Sequence, residues 1–247
     1  MKAMLLCAGM GTRLGHLTRE LPKPMLPIQD RPLLDFLLSH LRSQGIDDVV
    51  INLHFLPEII QEYCGNGARW HLRITYSHEP TLLGTAGGLK KMEALFRQGE
   101  TFLVQYGDIL TDQDFSRMLQ FHRAHAALAT LLVHQRSRSN SIVCLDSENR
   151  IHDFLERPTD EARRLVASPW VNSGVCVCEP EILDHIPPGA FADLPRDVFV
   201  KLIPTGRLYG FPLEGYRCAI DSPERLEEAQ KAVANGRCQI SPLGLPD

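Results

Sequence analysis

Short apolar runs alternate with amphipathic stretches along the first half of the chain, and this alternation most constrains its fold. Predicted strands occupy residues 2–7, 49–53, 72–77 and 101–105, and predicted helices occupy residues 33–43, 57–63 and 85–96. A helix between successive strands makes the connection long enough for parallel pairing. The pattern therefore predicts a parallel sheet with helices on both faces.

The pattern changes after a predicted helix at residues 114–124. Strands are predicted at residues 128–134, 141–146, 151–156 and 170–178, followed by a late pair at 208–211 and 216–220. A final helix at 224–234 has Ser222 as a plausible N-cap and Pro223 at its first position. We expect an α/β fold with a mixed, mostly parallel sheet flanked by helices and a small antiparallel extension. Residues 1–235 would form one domain, and residues 236–247 a loosely ordered C-terminal tail.

Composition and charge exclude several classes of protein. The net charge of −4 over 247 residues argues against a protein that coats nucleic acid or an anionic membrane. No apolar run approaches the roughly 20 residues that span a bilayer, and the apolar N-terminus is too short for a secretory signal. Seven scattered cysteines without a CxxC pair indicate free thiols in a reducing cytoplasm, rather than a disulfide scaffold or a zinc ribbon.

A glycine-containing loop at residues 8–14 follows the first predicted strand directly. In an open α/β sheet, ligands bind beyond the carboxyl ends of the strands, and the first such loop is a favoured place. Gly9 and Gly11 would let main-chain N–H groups approach phosphate oxygens closely. The loop is neither a P-loop nor a complete dinucleotide fingerprint, because the residues that define those motifs are absent.

Arg13 near the end of this loop is followed by two further basic residues, Arg19 and Lys23. Lys23 stands between two prolines, which restrict the backbone on both sides and place the lysine on a stiff segment. A surface turn with solvated charges is the alternative interpretation. A stiffly held lysine beside a glycine loop favours a site for a triphosphate.

Asp108 and Asp221 each follow a predicted strand and are therefore expected at a carboxyl edge of the sheet. Mg²⁺ prefers hard oxygen ligands and often takes one or two carboxylates together with substrate phosphates. The alternatives are a turn aspartate at Asp108 and a neighbour of a helix N-cap at Asp221. Whether the two carboxylates converge is not determined by the sequence.

The motifs together resemble those of the sugar-1-phosphate nucleotidylyltransferases, also called NDP-sugar pyrophosphorylases, and are most similar to the mannose-1-phosphate guanylyltransferase branch. The resemblance extends from residue 2 to about residue 233 and includes the segments 9–14, 22–25, 83–87, 106–108, 154–158, 171–174 and 219–223. It implies a Rossmann-like nucleotidyltransferase fold. It also implies an enzyme that joins a sugar 1-phosphate to a nucleoside triphosphate and releases pyrophosphate, with Mg²⁺ as cofactor. We expect no β-helix domain of the kind found in some relatives.

The resemblance assigns site residues by position. The residues implied to bind the nucleotide are Ala8, Gly9, Gly11, Thr12, Arg13, Glu79, Gly84 and Asp108. Those implied to bind the sugar phosphate are Gly107, Glu156, Arg157 and Asn172. Arg13 and Lys23 would be catalytic, acting on the leaving pyrophosphate and near the α-phosphate. Asp108 and Asp221 would hold the metal.

One position departs from the family pattern. Arg157 stands where the family has lysine, in the segment usually written Glu-Lys-Pro. The positive charge is retained, and a guanidinium can bind a phosphate through two hydrogen bonds, but arginine and lysine are not interchangeable. The change can mark a different sugar. For Asn172 the alternative is an ordinary strand residue that pairs through its main chain.

Glu79 falls where the family contacts the nucleobase. A carboxylate is an acceptor only, so it complements the adjacent N1–H and N2–H₂ donors of guanine, and it could also accept from N3–H of uracil or thymine. An exposed loop glutamate is the alternative. The resemblance of residues 78–87, 120–123 and 172–174 to the mannose-1-phosphate guanylyltransferase branch implies GTP with mannose 1-phosphate, or with heptose 1-phosphate. The alternative is uridylyl or thymidylyl transfer to glucose 1-phosphate or to an aminosugar 1-phosphate.

Two hypotheses from other classes remain. A catalytically silent sugar-nucleotide-binding regulator could share this fold, although the joint presence of Arg13, Lys23, Asp108 and Asp221 argues against it. A glycosyltransferase is disfavoured because the Lys23 segment fits triphosphate chemistry better and Asp108 itself is not part of an Asp-x-Asp motif, although Asp112-Gln113-Asp114 follows it. We expect no nucleic-acid or membrane partner, and the turn at residues 136–139 could contact a second subunit of a homodimer.

Overall fold

The computed structural model describes residues 1–98, 100–137, 139–166 and 168–242. Its strands are β1 (Lys2–Leu6), β2 (Pro27–Ile28), β3 (Arg31–Pro32), β4 (Asp48–Leu53), β5 (Arg73–His78), β6 (Phe102–Tyr106), β7 (Ile109–Thr111), β8 (Ala129–Gln135), β9 (Ser141–Leu145), β10 (Ile151–Glu156), β11 (Trp170–Cys178), β12 (Leu208–Pro212) and β13 (Arg217–Ala219). Its α-helices are α1 (Leu33–Ser43), α2 (Pro57–Cys64), α3 (Gly84–Lys91), α4 (Glu93–Arg97), α5 (Phe115–Ala124), α6 (Asp160–Leu165), α7 (Val200–Leu202) and α8 (Pro223–Ala234).

The chain divides into two compact units, each assembled from separate stretches of sequence. The first unit contains Met1–Leu82, Val104–Asp114 and Glu214–Asp247. The second contains Leu83–Leu103 and Phe115–Leu213. Arg138, in the turn considered for a homodimer contact, and residues 243–247 of the predicted tail lie outside the described residues.

The first unit contains the parallel strands predicted from the sequence. β1 pairs with β4 in parallel from Lys2↔Asp48 to Leu6↔Asn52, and β4 pairs with β5 in parallel. The backbone N–H of Gly107, just after β6, donates to Leu6 O at 2.8 Å, so the carboxyl ends of β1 and β6 meet. Strand β7 pairs with β13 in the antiparallel direction. The predicted mixed, mostly parallel sheet is thereby confirmed for its parallel part.

Helix α1 has the bounds that its sequence predicts. Pro32 precedes it in an extended conformation, and its residues from Leu33 to Leu41 are buried. Nine consecutive buried residues span more than two turns, so this part of the helix is enclosed on all sides and not only along its apolar face. Gly45 follows the helix with a φ of 74°, a conformation that glycine adopts without strain.

The second unit supplies the antiparallel part. β8 pairs with β11 in the antiparallel direction and with β12 in parallel, and β9 pairs with β10 in the antiparallel direction. The sequence analysis treated the two late strands as a pair. In the structure they do not pair with each other, because β12 pairs with β8 and β13 pairs with β7. Proximity in sequence favours pairing but does not fix it.

One predicted helix is interrupted. The stretch predicted as a helix at residues 85–96 forms two helices, α3 and α4, separated by Met92. Met92 departs from helical backbone angles (φ −99°, ψ 18°), and its N–H donates to Leu89 O in a tighter i to i−3 bond. Such a tightened turn ends an α-helix even where the apolar spacing continues.

The C-terminal region is partly packed. Ser222 caps α8 as predicted, since its Oγ accepts from the Arg225 N–H at 3.3 Å, and Pro223 is the first helical residue. The expectation of a loosely ordered tail is wrong for its first part, because Cys238 and Ile240 are buried. The Gln239 N–H also donates to a carboxylate oxygen of Asp112 at 2.8 Å.

Two further observations concern the described residues. Their cysteines are free, as predicted, and most of them are buried. None of the helices in the described part of the chain combines the length and the apolar character needed to cross a membrane.

Candidate active site

The glycine loop follows β1 at the carboxyl edge of the sheet. Gly11 has a φ of 66°, and a Cβ placed on it would lie 3.0 Å from Thr18 Cγ2. Thr18 Oγ1 donates to Gly11 O at 2.9 Å and fixes this turn. At Gly9, by contrast, a Cβ would have no described heavy atom within 4 Å apart from its chain neighbours. The fold therefore requires a glycine at position 11, whereas Gly9 leaves open space beside the backbone.

The other predicted loop residues differ in exposure. Ala8 is buried, Thr12 is exposed, and Cys7 at the root of the loop is 3% exposed. Burial raises the pKa of the Cys7 thiol well above its usual value. A thiol held protonated is a poor nucleophile, so Cys7 packs at the root of the loop rather than acting on a substrate.

Lys23 lies on a short 3-10 turn, Lys23–Met25, that follows an extended Pro22. Its side chain is only 11% exposed, and its Nζ lies 2.5 Å from Asp108 Oδ2. The stiff proline-bounded segment thus holds the ammonium against a carboxylate. The alternative of solvated charges on a surface turn is wrong for Lys23.

The structure brings Asp108 and Asp221 to adjacent backbone positions. β7 and β13 are paired with Ile109 opposite Ala219, and the Ile220 N–H donates to Asp108 O at 2.9 Å. The two aspartates therefore lie at the same end of this two-stranded ladder. Their side chains are 24% and 31% exposed, which leaves both accessible to a ligand.

Asp221 is itself held by a cation from the glycine loop. Arg13 NH1 lies 3.3 Å from Asp221 Oδ2, and the arginine side chain is largely exposed. Two carboxylates and two cations thus form two ion pairs at one end of the β7–β13 ladder. In this arrangement each charge is compensated by a neighbour, and each can be transferred to a ligand of opposite charge.

The donor set fits a divalent cation that binds together with substrate. No group of three or more His, Cys, Asp or Glu side chains in the described ranges could hold a metal alone. Asp108 and Asp221 offer hard carboxylate oxygens at neighbouring positions, and Mg²⁺ is commonly bound through one or two carboxylates plus phosphate oxygens and water. The site therefore fits a metal–phosphate complex better than a metal cage made of protein.

Glu79 follows β5 and is 2% exposed. Its Oε1 accepts a hydrogen bond from Asn52 Nδ2 at 2.8 Å, its N–H donates to Leu53 O, and its carbonyl oxygen accepts from His54 Nδ1. The alternative of an exposed loop glutamate is therefore wrong. A buried carboxylate held on several sides is a fixed acceptor rather than a mobile surface charge.

Asn52 was not singled out from the sequence. It stands near the carboxyl end of the apolar strand β4, and a polar residue in such a run is the signal that could have identified it. Besides its bond to Glu79, its Oδ1 accepts from the Cys7 N–H at 2.7 Å.

Close packing explains why two of the predicted site residues, Gly84 and Gly107, are glycines. A Cβ on Gly107 would lie 2.6 Å from Cys7 Sγ, and a Cβ on Gly84, which has a φ of 74°, would lie 2.4 Å from Ala192 O. The N-terminal N–H groups of α3 are also used within the second unit. Thr85 N donates to Asp193 Oδ1 and Ala86 N donates to Ala192 O. Roles of Gly84 and Gly107 in ligand binding stay predictions.

Glu156 is the last residue of strand β10 in the second unit, and Arg157 follows it. Burial raises the pKa of the Glu156 carboxyl to about 6, although the nearby Arg157 charge acts in the opposite direction. Arg157 has a φ of 49° and a side chain that is 82% exposed. A non-glycine residue in the left-handed region is uncommon and is concentrated at functional sites. This conformation supports a binding role for Arg157.

Asn172 lies at an irregularity of β11. The register with β8 shifts between Asn172 and Cys176, and Asn172 Oδ1 accepts from the Gly174 N–H at 3.1 Å. Bulges redirect side chains, and they often lie next to active sites. Gly174, inside strand β11, is the sequence signal for this bulge.

The predicted site residues thus fall into two sets. The first unit holds Ala8, Gly9, Gly11, Thr12, Arg13, Lys23, Glu79, Gly107, Asp108 and Asp221. The second unit holds Gly84, Glu156, Arg157 and Asn172. Within the first unit, the charged residues at positions 13, 23, 108 and 221 form two ion pairs at one end of the β7–β13 ladder.

Comparison with known proteins identifies the class. The family described as "Nucleotidyl transferase" matches residues 2–233, and the chain belongs to this family. It is 37% identical over 220 residues to a UTP–glucose-1-phosphate uridylyltransferase from Synechocystis sp., covering 83% of this chain and 56% of that protein. It is 34% identical over 242 residues to a mannose-1-phosphate guanylyltransferase from Mycobacterium tuberculosis, covering 95% of this chain and 65% of that protein. The chain therefore spans less than two thirds of the length of these relatives.

A solved structure confirms the fold. HddC from Yersinia pseudotuberculosis superposes with a TM-score of 0.79 at 20% identity, covering 94% of this chain and 99% of that chain. At this level of identity the likeness concerns the fold alone. The predicted Rossmann-like nucleotidyltransferase fold is confirmed.

Proposed function

We propose that this chain is a sugar-1-phosphate nucleotidylyltransferase. The observation that carries the proposal is the pair of contacts Lys23–Asp108 and Arg13–Asp221, which lie in the same unit as the glycine loop. Such a reaction needs both cations for phosphate groups and carboxylates for a metal. Membership of the nucleotidyl transferase family supports the same reaction class.

In the proposed reaction, a phosphate oxygen of the sugar 1-phosphate attacks the α-phosphorus of the nucleoside triphosphate in line, and pyrophosphate leaves. Catalysis of this kind depends on positioning and on neutralising charge. The open backbone at Gly9 would admit phosphate oxygens, with Ala8, Gly11 and Thr12 completing the loop. Arg13 would move from Asp221 to the leaving pyrophosphate, and Lys23 would bind near the α-phosphate.

Asp108 and Asp221 would hold Mg²⁺. The bound ion would neutralise charge on the nucleotide phosphate and on the sugar phosphate. The two aspartates also orient the cations, because each accepts from Lys23 or Arg13 before substrate arrives.

The second unit would supply the groups for the sugar 1-phosphate. Glu156 would accept hydrogen bonds from sugar hydroxyls, and the exposed Arg157 guanidinium would bind the phosphate. Asn172, at the bulge of β11, would contact the sugar, and Gly84 would let a ligand approach the backbone. Gly107 of the first unit would do the same for the sugar phosphate. The raised pKa of Glu156 is consistent with a carboxylate whose charge is stabilised only when donors arrive.

For the base and the sugar, we propose guanine with mannose 1-phosphate, or with heptose 1-phosphate. The buried, acceptor-only carboxylate of Glu79 matches the two adjacent donors of guanine. The guanylyltransferase from M. tuberculosis, similar over 95% of this chain, supports this choice. The second candidate is uridylyl or thymidylyl transfer to glucose 1-phosphate, supported by the 37% identity to the uridylyltransferase from Synechocystis.

The test is pyrophosphate release with Mg²⁺ across GTP, UTP, dTTP, CTP and ATP, each paired with mannose 1-phosphate or glucose 1-phosphate. Release with GTP would support the proposed base. Release with UTP or dTTP alone would contradict guanine while supporting the reaction class. Binding of nucleotide sugars without pyrophosphate release in any pair would contradict an enzyme and favour a regulator.

We further propose that residues 1–235 form the transferase domain, that residues 236–247 are a C-terminal tail, and that the protein is cytoplasmic. The free cysteines support the cytoplasmic assignment, because thiols persist in reducing compartments. A homodimer is also proposed, and light scattering of the purified chain would contradict it by returning the mass of a monomer.

A further inference from the structure

Asn52 occupies a central position at the carboxyl edge of the first unit's sheet. In register it lies between Leu6 of β1 and Ser77 of β5, and its side chain is almost completely buried. A buried amide must have hydrogen-bond partners to be tolerated. Its partners show which parts of the site it joins.

The Asn52 side chain joins the glycine loop to the Glu79 carboxylate. Its Oδ1 accepts from the Cys7 N–H at 2.7 Å, directly before the loop, and its Nδ2 donates to Glu79 Oε1 at 2.8 Å. The orientation of the amide follows from its partners, because a main-chain N–H can only donate and a carboxylate can only accept. Only a side chain with both a donor and an acceptor can make both bonds at once.

The main chain of Glu79 is held separately. Its N–H donates to Leu53 O at 2.7 Å, and its carbonyl oxygen accepts from His54 Nδ1 at 2.6 Å. These bonds hold the backbone after β5. The bond from Asn52 acts on the carboxylate itself. Loss of that bond would weaken the hold on the carboxylate and leave the main-chain bonds of Glu79 in place.

We propose that Asn52 is a positioning residue for base selection, which it controls by holding the Glu79 carboxylate at a fixed distance from the root of the glycine loop. The inference rests on the proposed function, in which Glu79 contacts the base and the loop contacts the phosphates. One amide then sets the distance between base recognition and phosphate binding. Its effect is on which nucleotide binds, and not on the chemical step.

The test compares two variants with a matched control. Asn52→Asp keeps an acceptor for the Cys7 N–H and puts a second carboxyl group beside Glu79 in place of the amide donor. Asn52→Ala removes both hydrogen bonds without adding a charge. Ser77→Ala is the control, because Ser77 is the buried neighbour of Asn52 in β5 and its Oγ has no hydrogen-bond partner among the described residues. Each variant is assayed for kcat and KM with GTP, ITP and UTP and for its melting temperature.

Base selectivity is the ratio of kcat/KM for the preferred nucleotide to that for the next one. We expect Asn52→Asp and Asn52→Ala to lower this ratio about tenfold or more, mainly through KM, since the loss is that of a hydrogen bond to a charged group. Ser77→Ala should keep the wild-type ratio. Glu79→Gln combined with Asn52→Asp should lose little beyond Glu79→Gln alone, because residues that act through one contact are not additive.

The outcomes separate this inference from the proposed function. Unchanged selectivity in both Asn52 variants, with only a lower melting temperature, would overturn the positioning role and leave the function standing. A wild-type preference for UTP would contradict guanine, while a loss of that preference in the Asn52 variants would still support positioning. Absence of nucleotide binding to the wild-type chain would overturn both.

Discussion

Gly9 and Gly11 stand two residues apart in one loop, yet the fold requires only the second to be glycine. Gly11 has a left-handed backbone and Thr18 packed against the place where a Cβ would be. At Gly9 the equivalent space is open and φ is not in the left-handed range. The glycine at position 11 therefore has a structural explanation, whereas for position 9 we propose a functional one.

This difference predicts opposite effects of the same substitution. Gly11→Ala should lower the free energy of unfolding by about 1–2 kcal/mol, because alanine is strained at positive φ. Gly9→Ala should leave that free energy nearly unchanged and lower kcat/KM for the nucleotide about tenfold or more, because the methyl group occupies the space for phosphate. Denaturant unfolding and steady-state kinetics measure the two effects. Equal stability loss in both variants would refute the distinction.

Glu156 predicts a specific dependence of stability on pH. Its pKa is raised from 4.5 to about 6, so between these values the folded protein binds more protons than the unfolded chain. Stability from this group is therefore present below pH 4.5 and is lost as the pH rises through about 6. Glu156→Gln does not titrate, so its stability relative to wild type should increase across this window by at most about 2 kcal/mol.

Denaturant unfolding of both proteins between pH 4 and pH 7 measures the difference without any ligand. Thr159→Ala, at the N-cap of α6, serves as a control because it lowers stability without a titrating group. A difference between Glu156→Gln and wild type that does not change with pH would show that burial does not raise this pKa.

Among the elements, α3 shows how a distant segment completes a helix. Its first residues have no side-chain cap from their own sequence, and Asp193 supplies the acceptor for the Thr85 N–H. The Leu194 N–H donates in turn to Thr85 Oγ1 at 2.7 Å. The N–H groups of Thr85, Ala86 and Gly87 in the first turn of α3 are thus satisfied by protein groups.

Asp193→Ala should therefore destabilise the protein by about 1 kcal/mol, the usual cost of losing an N-terminal cap. Asp184→Ala is the matched control, since its exposed carboxylate pairs with Arg97 and such surface pairs contribute little. Thermal and denaturant unfolding of the two variants compare them directly. A control that loses as much stability as Asp193→Ala would contradict the capping role.

Elements with strong local signals could be predicted from the sequence. Helix α1 and strands β10 and β11 have the predicted bounds, because their apolar spacing matches their burial. The break at Met92 and the short β2–β3 hairpin could not be predicted, because neither changes the apolar pattern. The partners of β12 and β13 depend on the whole fold, which local periodicity does not encode.

At the scale of the whole molecule, the residue types of the candidate site and their positions at strand ends could be predicted from the sequence. It could not give the convergence of Asp108 and Asp221, because that depends on the pairing of β7 with β13. The burial of Glu79 and Lys23 was also missed, since both are charged residues in loops, where exposure is the usual expectation. Asn52 was missed because its hydrogen bonds to Cys7 and Glu79 join residues that are distant in sequence.

The net charge of −4 belongs to the same scale. In the proposed function, an acidic molecule binds a triphosphate through two cations of the first unit, Arg13 and Lys23. Each is paired with an aspartate, so these four side chains carry no net charge until a ligand and a metal ion bind.

The central claim is that Asp108, Asp221, Arg13 and Lys23 together perform nucleotidyl transfer. The most direct measurement quantifies pyrophosphate and nucleotide sugar formed by the wild-type chain and by Asp108→Asn, with saturating Mg²⁺ and the preferred substrate pair. We predict equal amounts of both products from wild type. The rate of Asp108→Asn should be lower by a factor of about 100 or more. Its fold should persist, because the amide oxygen can still accept a hydrogen bond from Lys23. A near wild-type rate for Asp108→Asn, or no pyrophosphate from wild type with any pair, would contradict the account.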